Sequence, residues 1–400
     1  MSNLLDYLVW RGDLSMQTVP FQAVDSLILC RLSYVSFDDL LQPDDAPISI
    51  RQAAHQRLKT LRDDKTPLGK PISAQDQHLL SLLGESARFA DWTIRGYVNE
   101  LDTQEEKQFS AMTLQGEEGA FYIAYRGTDN TLVGWKEDFN MSFRTPVPAQ
   151  QAAVEYLTEA AQNTTDKICL GGHSKGGNLA VYAASFCPPD VQSRILNVYN
   201  NDGPGFTQST IDQPGYQAVK DRISTFVPQS SVIGMLMEHE EDYTVVHSTQ
   251  VGLLQHDVYS WQVQRDDFVR LQSVTESSRF VDHTLKEWVL AMTPLQREQF
   301  FDALYAIAQT THAQTIKEMR EGGLQTAKTV LQSLKNVDEP TRKIILQGMK
   351  ILWEAARDNL PESWPNKDTP ARMGRGPLLL TQGKEKRRRT NAVVRSTKNP

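Results

Sequence analysis

The sequence predicts an α/β fold: a doubly wound, mostly parallel sheet with helical additions at its N- and C-terminal ends. Three observations carry that expectation. Ala120-Phe121-Tyr122-Ile123-Ala124-Tyr125 is almost wholly apolar, as a strand covered on both faces requires. Short strand-like runs at 167–170, 196–200 and 223–227 then alternate with helical stretches, the pattern of strand–helix–strand units. Finally, residues 167–180 pass from a buried strand through a glycine-rich turn into a helix.

The elements follow in order. Residues 3–83 read as helical; in 24–32 apolar side chains recur at three and four, as a core-facing helix demands. Residues 50–63 form a second amphipathic stretch, which the Pro- and Gly-bearing run 64–71 breaks. Strand-like segments at 94–98 and 108–114 precede the buried run, with a Gly116-to-Gly119 turn between. A helix is expected over 148–163 and another from the Ser174 turn to Phe186. Beyond His256 the pattern turns helical, with two or three long helices over 293–360, separated near Gly322-Gly323 and at Asp338-Glu339-Pro340. The expected division is therefore a helical N-terminal segment (1–90) packed on the core, a sheet core (91–290), C-terminal helices (291–362) and a basic, disordered tail (363–400).

Charge and composition narrow the function. Hydrophobic content of 40% and charged content of 23% are globular values. The net charge of −7 hides an asymmetry: residues 371–400 carry nine Lys/Arg against Glu385, so the rest of the chain is strongly acidic. An acidic body does not invite nucleic acid, and only the tail offers a weak means of touching an anionic membrane. No apolar run approaches the roughly 20 residues of a membrane span, and no signal peptide is read, so a cytoplasmic protein is expected. Cys30, Cys169 and Cys187 are odd in number and lie in apolar segments, as buried thiols of a reducing compartment do. No Cys or His pair has zinc spacing; neither a metal nor a cofactor is expected.

The chemistry concentrates at Gly172-His173-Ser174-Lys175-Gly176. Between a strand and a helix, this spacing forms a nucleophile elbow, with glycines where side chains would clash and a serine hydroxyl raised above the strand end. The helix N-terminus favours an oxyanion, and Lys175 would lend its backbone N–H. An α/β-hydrolase takes its other oxyanion donor from the loop after the buried strand, here Tyr125-Arg126-Gly127-Thr128, which selects Thr128. The base must be a later histidine at a strand end. Of His239, His247, His256 and His283, His256 follows a strand-like segment and sits between apolar residues, where the fold needs it.

These segments resemble the class 3 lipases over residues 94–260. That family shows Arg-Gly-Ser/Thr after the third strand, a tryptophan-bearing lid, and Gly-His-Ser-x-Gly-Gly-x-Leu-Ala; the matches are Arg126 to Thr128, 130–139 with Trp135, and Gly172 to Ala180. The resemblance implies that Thr128 lines an oxyanion hole and that Trp135 lies on a possible lid. The flanks are similar to a bacterial family of lipase-like hydrolases without an assigned substrate, whose members open like Asp6 to Asp13. Class 3 lipases carry their triad Asp after the seventh strand, where this chain has Ser230-Ser231. Three readings follow. The acid has moved to Asp202, at the preceding strand end, as in the pancreatic-type lipases; or Ser231 or Ser230 orients His256; or the site is degenerate.

The leading expectation is a serine hydrolase acting on a small-molecule ester or lipid through an acyl-enzyme on Ser174, with apolar residues such as Phe139, Met235 and Met237 suiting an acyl chain. A catalytically inactive lipase-like scaffold, and an acyltransferase or thioesterase, are the alternatives.

Overall fold

The computed structural model describes residues 2–62, 72–116, 119–128, 134, 136–137, 140–141, 145–309 and 338–358. The expected break at 64–71, Trp135, Phe139, the Gly322-Gly323 break and the basic tail lie outside them. The described residues belong to one compact unit.

Four helices, α1 (Leu4–Arg11), α2 (Ala23–Leu32), α3 (Ile50–Arg62) and α4 (Ala74–Glu85), precede the main sheet strands. Asn3 caps α1 by accepting from Leu5 N–H at 2.9 Å, while Asp6 accepts from the Asn3 N–H, a reciprocal box that satisfies end-of-helix donors. Helix α2 is buried nearly all round, which marks it as internal rather than draped on the surface. It carries Asp25 into the core, where Arg88 meets it at 2.5 and 2.7 Å with both side chains fully buried. Tyr7 and the Gln22 N–H donate to the same carboxylate, and Arg88 also donates to the Leu14, Val19 and Pro20 carbonyls. With every polar atom partnered in this way, a buried ion pair becomes tolerable.

Among the described residues the sheet has nine strands in sequential order: β1 (Ile48–Ser49), β2 (Thr93–Asp102), β3 (Lys107–Gln115), β4 (Phe121–Tyr125), β5 (Ile168–His173), β6 (Ile195–Asn201), β7 (Ile223–Pro228), β8 (Tyr243–Val246) and β9 (Arg270–Leu271). Strands β4 to β8 are mutually parallel, and antiparallel strands extend both edges. The two-residue edge strands β1 and β9 were not expected from the sequence. They are short and take their partners from distant chain.

Because the order is sequential rather than reversing at a switch point, the layers on the two faces come from different parts of the chain. In β4, Phe121, Ile123 and Tyr125 pack with α5 (Pro148–Gln162) and α6 (Lys175–Phe186), whereas Tyr122 and Ala124 pack with α1, α2 and α4. Thus "doubly wound" describes two covered faces but not the strand order. The N-terminal helices supply the second layer.

After the sheet, α7 (Glu276–Leu290), α8 (Pro294–Gln309) and α9 (Glu339–Asp358) share a small core of Trp288, Phe300, Phe301, Ile307 and Ile345, with Trp288 Nε1 donating to the Gly348 carbonyl at 2.9 Å. No helix among the described residues is long and apolar enough to cross a membrane.

Candidate active site at the carboxyl edge of the sheet

Ser174, Asp202, Ser231 and the turn bearing His256 all follow the carboxyl ends of successive parallel strands, β5 to β8. Open α/β sheets gather their functional groups at this edge. Ser174 has φ 60° and ψ −136°, in the left-handed region that costs a non-glycine residue about 1–3 kcal/mol. The surroundings hold it there: its N–H donates to the Asn201 carbonyl at 3.0 Å, and its own carbonyl accepts from the Gly177 N–H at 2.9 Å. A Cβ on Gly172 would fall 2.0 Å from the carbonyl carbon of Gly176, so strand and helix meet too closely for any side chain.

His256 ends a 3₁₀ turn, Gly252–His256. Trp261 Nε1 donates to the Gln255 carbonyl at 2.8 Å, and the Gln255 side chain accepts from the Ser230 N–H at 2.8 Å, which ties this turn to the loop after β7. His256 Nδ1 lies 2.6 Å from Asp202 Oδ2. The carboxylate accepts, so in the neutral ring Nδ1 carries the proton and Nε2 the lone pair. Asp202 is itself held at φ 54°, with its N–H donating to the Phe226 carbonyl. Its Oδ1 accepts from the Ser231 hydroxyl at 2.5 Å and the Gly234 N–H at 3.1 Å. Ser231, the alternative partner for His256, therefore points at the carboxylate instead.

Asn178 on α6 braces the loop after Asp202, donating to the Pro204 and Gly205 carbonyls while accepting from Gln150. Segment 236–241 braces the loop's far side through Gly205 N–H to Leu236 carbonyl and paired bonds between Phe206 and Glu238. The same segment buries Glu241, which accepts from Thr225 at 2.7 Å, Tyr216 at 2.6 Å and His239 at 3.0 Å. Burial alone would push the Glu241 carboxyl up, but the hydrogen bond and charge of His239, with the bonds from Tyr216 and Thr225, hold it at about 2. The folded value lies below the ordinary 4.5. Its stabilisation is therefore complete above about pH 4.5 and is lost as pH falls toward 2, by up to roughly 3 kcal/mol. Denaturant unfolding between pH 5 and 2.5 should show Glu241→Gln losing less stability on acidification than wild type. Parallel curves would refute this.

Thr128 follows Gly127, where an added Cβ would lie 3.0 Å from Ser174 Cβ, so this loop borders Ser174. Lys175 begins α6 directly after Ser174. Its side chain is buried, with Nζ donating to Glu137 Oε2 at 2.8 Å and to the Gln108 carbonyl at 2.9 Å. Glu137 is fully buried and also accepts from the Gln108 and Ala149 N–H groups. Neither Glu137 nor Asn178 was singled out from the sequence. A lysine between a nucleophile and two glycines hints at a buried acid partner but does not say which. Burial pushes the Cys30 and Cys187 thiols up to about 12 and Cys169 to about 11, away from the thiolate form a nucleophile needs. Among the described residues, no group of His, Cys, Asp or Glu is placed to hold a metal ion.

A helix-covered sheet with a parallel centre and a serine at the strand–helix elbow is the arrangement of the α/β-hydrolase fold. The chain belongs to the Mbeg1-like family, whose profile matches residues 83–306, more than half of its length. Two solved structures are similar over part of the chain. M37 lipase is 15% identical, covering 54% of this chain and 70% of its own, with a TM-score of 0.32. A deletion mutant of the Rhizomucor miehei lipase–propeptide complex is 15% identical over 48% and 70%, with a TM-score of 0.33. At these scores neither neighbour's activity carries over to this chain. No curated protein matches the sequence.

Proposed function

We propose that the protein is a serine hydrolase that cleaves carboxylic esters, with Ser174 as nucleophile, His256 as general base and Asp202 as the acid behind it. The carrying observation is the 2.6 Å bond between Asp202 and His256 Nδ1, together with a serine held at φ 60° in the turn after β5. In this reading Ser174 Oγ adds to the ester carbonyl as its proton passes to His256 Nε2. The N–H groups of Thr128 and Lys175 hold the oxyanion. Collapse expels the alcohol, protonated by His256, and leaves an acyl-Ser174; water, deprotonated by His256, then releases the carboxylic acid.

Val251 and Leu254 stand 75% and 62% exposed on the turn that carries His256, which favours substrates with an apolar acyl chain. The free thiols of Cys30, Cys169 and Cys187 favour a reducing, cytoplasmic setting. Acyl transfer or thioester cleavage would use the same groups, and a screen of esters, thioesters and acyl acceptors separates them. Asp202 facing His256, although serine occupies position 231, supports the hydrolase reading over an inactive scaffold.

A fluorophosphonate probe tests the proposal. Folded wild-type protein should become labelled on Ser174, as located by peptide mass, and Ser174→Ala should not. Wild-type protein that stays unlabelled while folded rules the reading out.

A further inference from the structure

The residue before the nucleophile has more partners than an elbow requires. His173 is buried, and its Nε2 lies 2.9 Å from the backbone carbonyl of His256. The two imidazole rings lie against one another in a tilted arrangement, centroids 4.4 Å apart and planes 34° apart. A carbonyl only accepts, so His173 Nε2 carries the proton and its Nδ1 keeps a lone pair. The Tyr34 hydroxyl lies 3.2 Å from that Nδ1 and 3.1 Å from the His173 carbonyl, and donates to this pair of acceptors.

Tyr34 comes from the chain just after α2, outside the segment that matches the family profile. Its ring is fixed beneath the Arg31 guanidinium at 4.8 Å, and Arg31 is clamped by Asp76 through two 2.7 Å bonds. The hydroxyl also sits against the oxyanion loop: a Cβ on Gly127 would fall 2.3 Å from it and 3.0 Å from Ser174 Cβ. One tyrosine of the N-terminal layer thus touches the elbow and the loop before Thr128. Through His173 it reaches the turn that carries the base.

We infer that Tyr34 and His173 are positioning residues for His256: Tyr34 fixes the orientation and tautomer of His173, and the His173 Nε2–H pins the His256 main chain. The inference rests on the proposed role of His256. Burial, with the neighbouring charge of His256 and Arg31, pushes the His173 imidazole well below its ordinary value. The ring therefore stays neutral beside a base that must gain a proton during the reaction. Without the pin, the His256 main chain rests on the Gln255 ties and can shift, and a displacement of about 1 Å at a catalytic group costs up to roughly 100-fold in rate.

The test compares wild type, Tyr34→Phe, His173→Leu and His173→Gln. The readouts are the second-order rate of fluorophosphonate labelling at Ser174, kcat and KM on an ester the wild type hydrolyses, and Tm. Tyr34→Phe and His173→Leu should label about 10- to 100-fold more slowly, with kcat falling and KM nearly unchanged. His173→Gln, whose side-chain amide can still donate to the His256 carbonyl, should recover most of the loss at a similar Tm. Should His173→Leu fail to fold, Tyr34→Phe and His173→Gln decide. Wild-type rates in Tyr34→Phe, or a Gln variant no faster than Tyr34→Phe, overturn the inference while leaving the nucleophile assignment standing. Unlabelled, folded wild type would instead remove the assignment on which it rests.

Discussion

Asp202→Asn is expected to lower turnover by about 10⁴-fold while the protein stays folded. The reason lies in how the carboxylate divides its two oxygens. Oδ1 is engaged by the Ser231 hydroxyl and the Gly234 N–H, both donors. An asparagine keeps its carbonyl oxygen there and turns its NH₂ toward His256. His256 Nδ1 must then accept, so its proton moves to Nε2, the atom proposed to take the proton from Ser174. The base is present but in the wrong tautomer. Ser231→Ala removes only one donor to a carboxylate and should cost about 10-fold or somewhat more. Steady-state kinetics on one ester, with Tm measured alongside, separate the two. Unchanged turnover in Asp202→Asn would remove Asp202 from the mechanism.

Lys175→Met should destabilise the fold by about 3–5 kcal/mol, the cost of stranding one member of a buried ion pair. Lys175 and Glu137 are 1% exposed and fully buried, so water cannot take over the lost contact. After substitution Glu137 keeps two N–H donors, from Gln108 and Ala149, but loses its cation, and the Gln108 carbonyl loses the Nζ donor. Methionine fills similar volume, so the change reports charge and hydrogen bonding rather than a cavity. Denaturant unfolding measures it directly. A loss below about 1 kcal/mol would mean that this pair behaves as a surface salt bridge. The effect bears on function because the pair joins the start of α6, directly after Ser174, to Glu137.

The parts of this site that were legible in the sequence are those whose causes are local. Gly172 and Gly176 flank Ser174 because adjacent backbone segments nearly touch, and spacing records that directly. The apolar run of β4 records burial on both faces. His256 could be chosen because chain order restricts where a base can lie. Asp202 could only be one of three readings. A strand-end Asp before Gly203 looks the same whether it shapes a turn or faces an imidazole 54 residues later.

Tyr34 and Glu137 left no such trace. Their partners lie 139 and 38 residues away, and a contact across that separation imposes no periodicity on either segment. The sequential strand order and the N-terminal helices on the second face were likewise decided by packing. Amphipathic pattern shows that a surface must be covered, but not what covers it. The sequence by itself determined the elbow, the alternating strands and helices, and the candidate chemistry of Ser174 and His256, because these depend on residues near one another in the chain. Only the tertiary structure decided that Asp202 rather than Ser231 stands behind His256, and that the N-terminal layer reaches the site through Tyr34. Those choices depend on how distant segments fill a common space and satisfy one another's buried hydrogen-bonding groups.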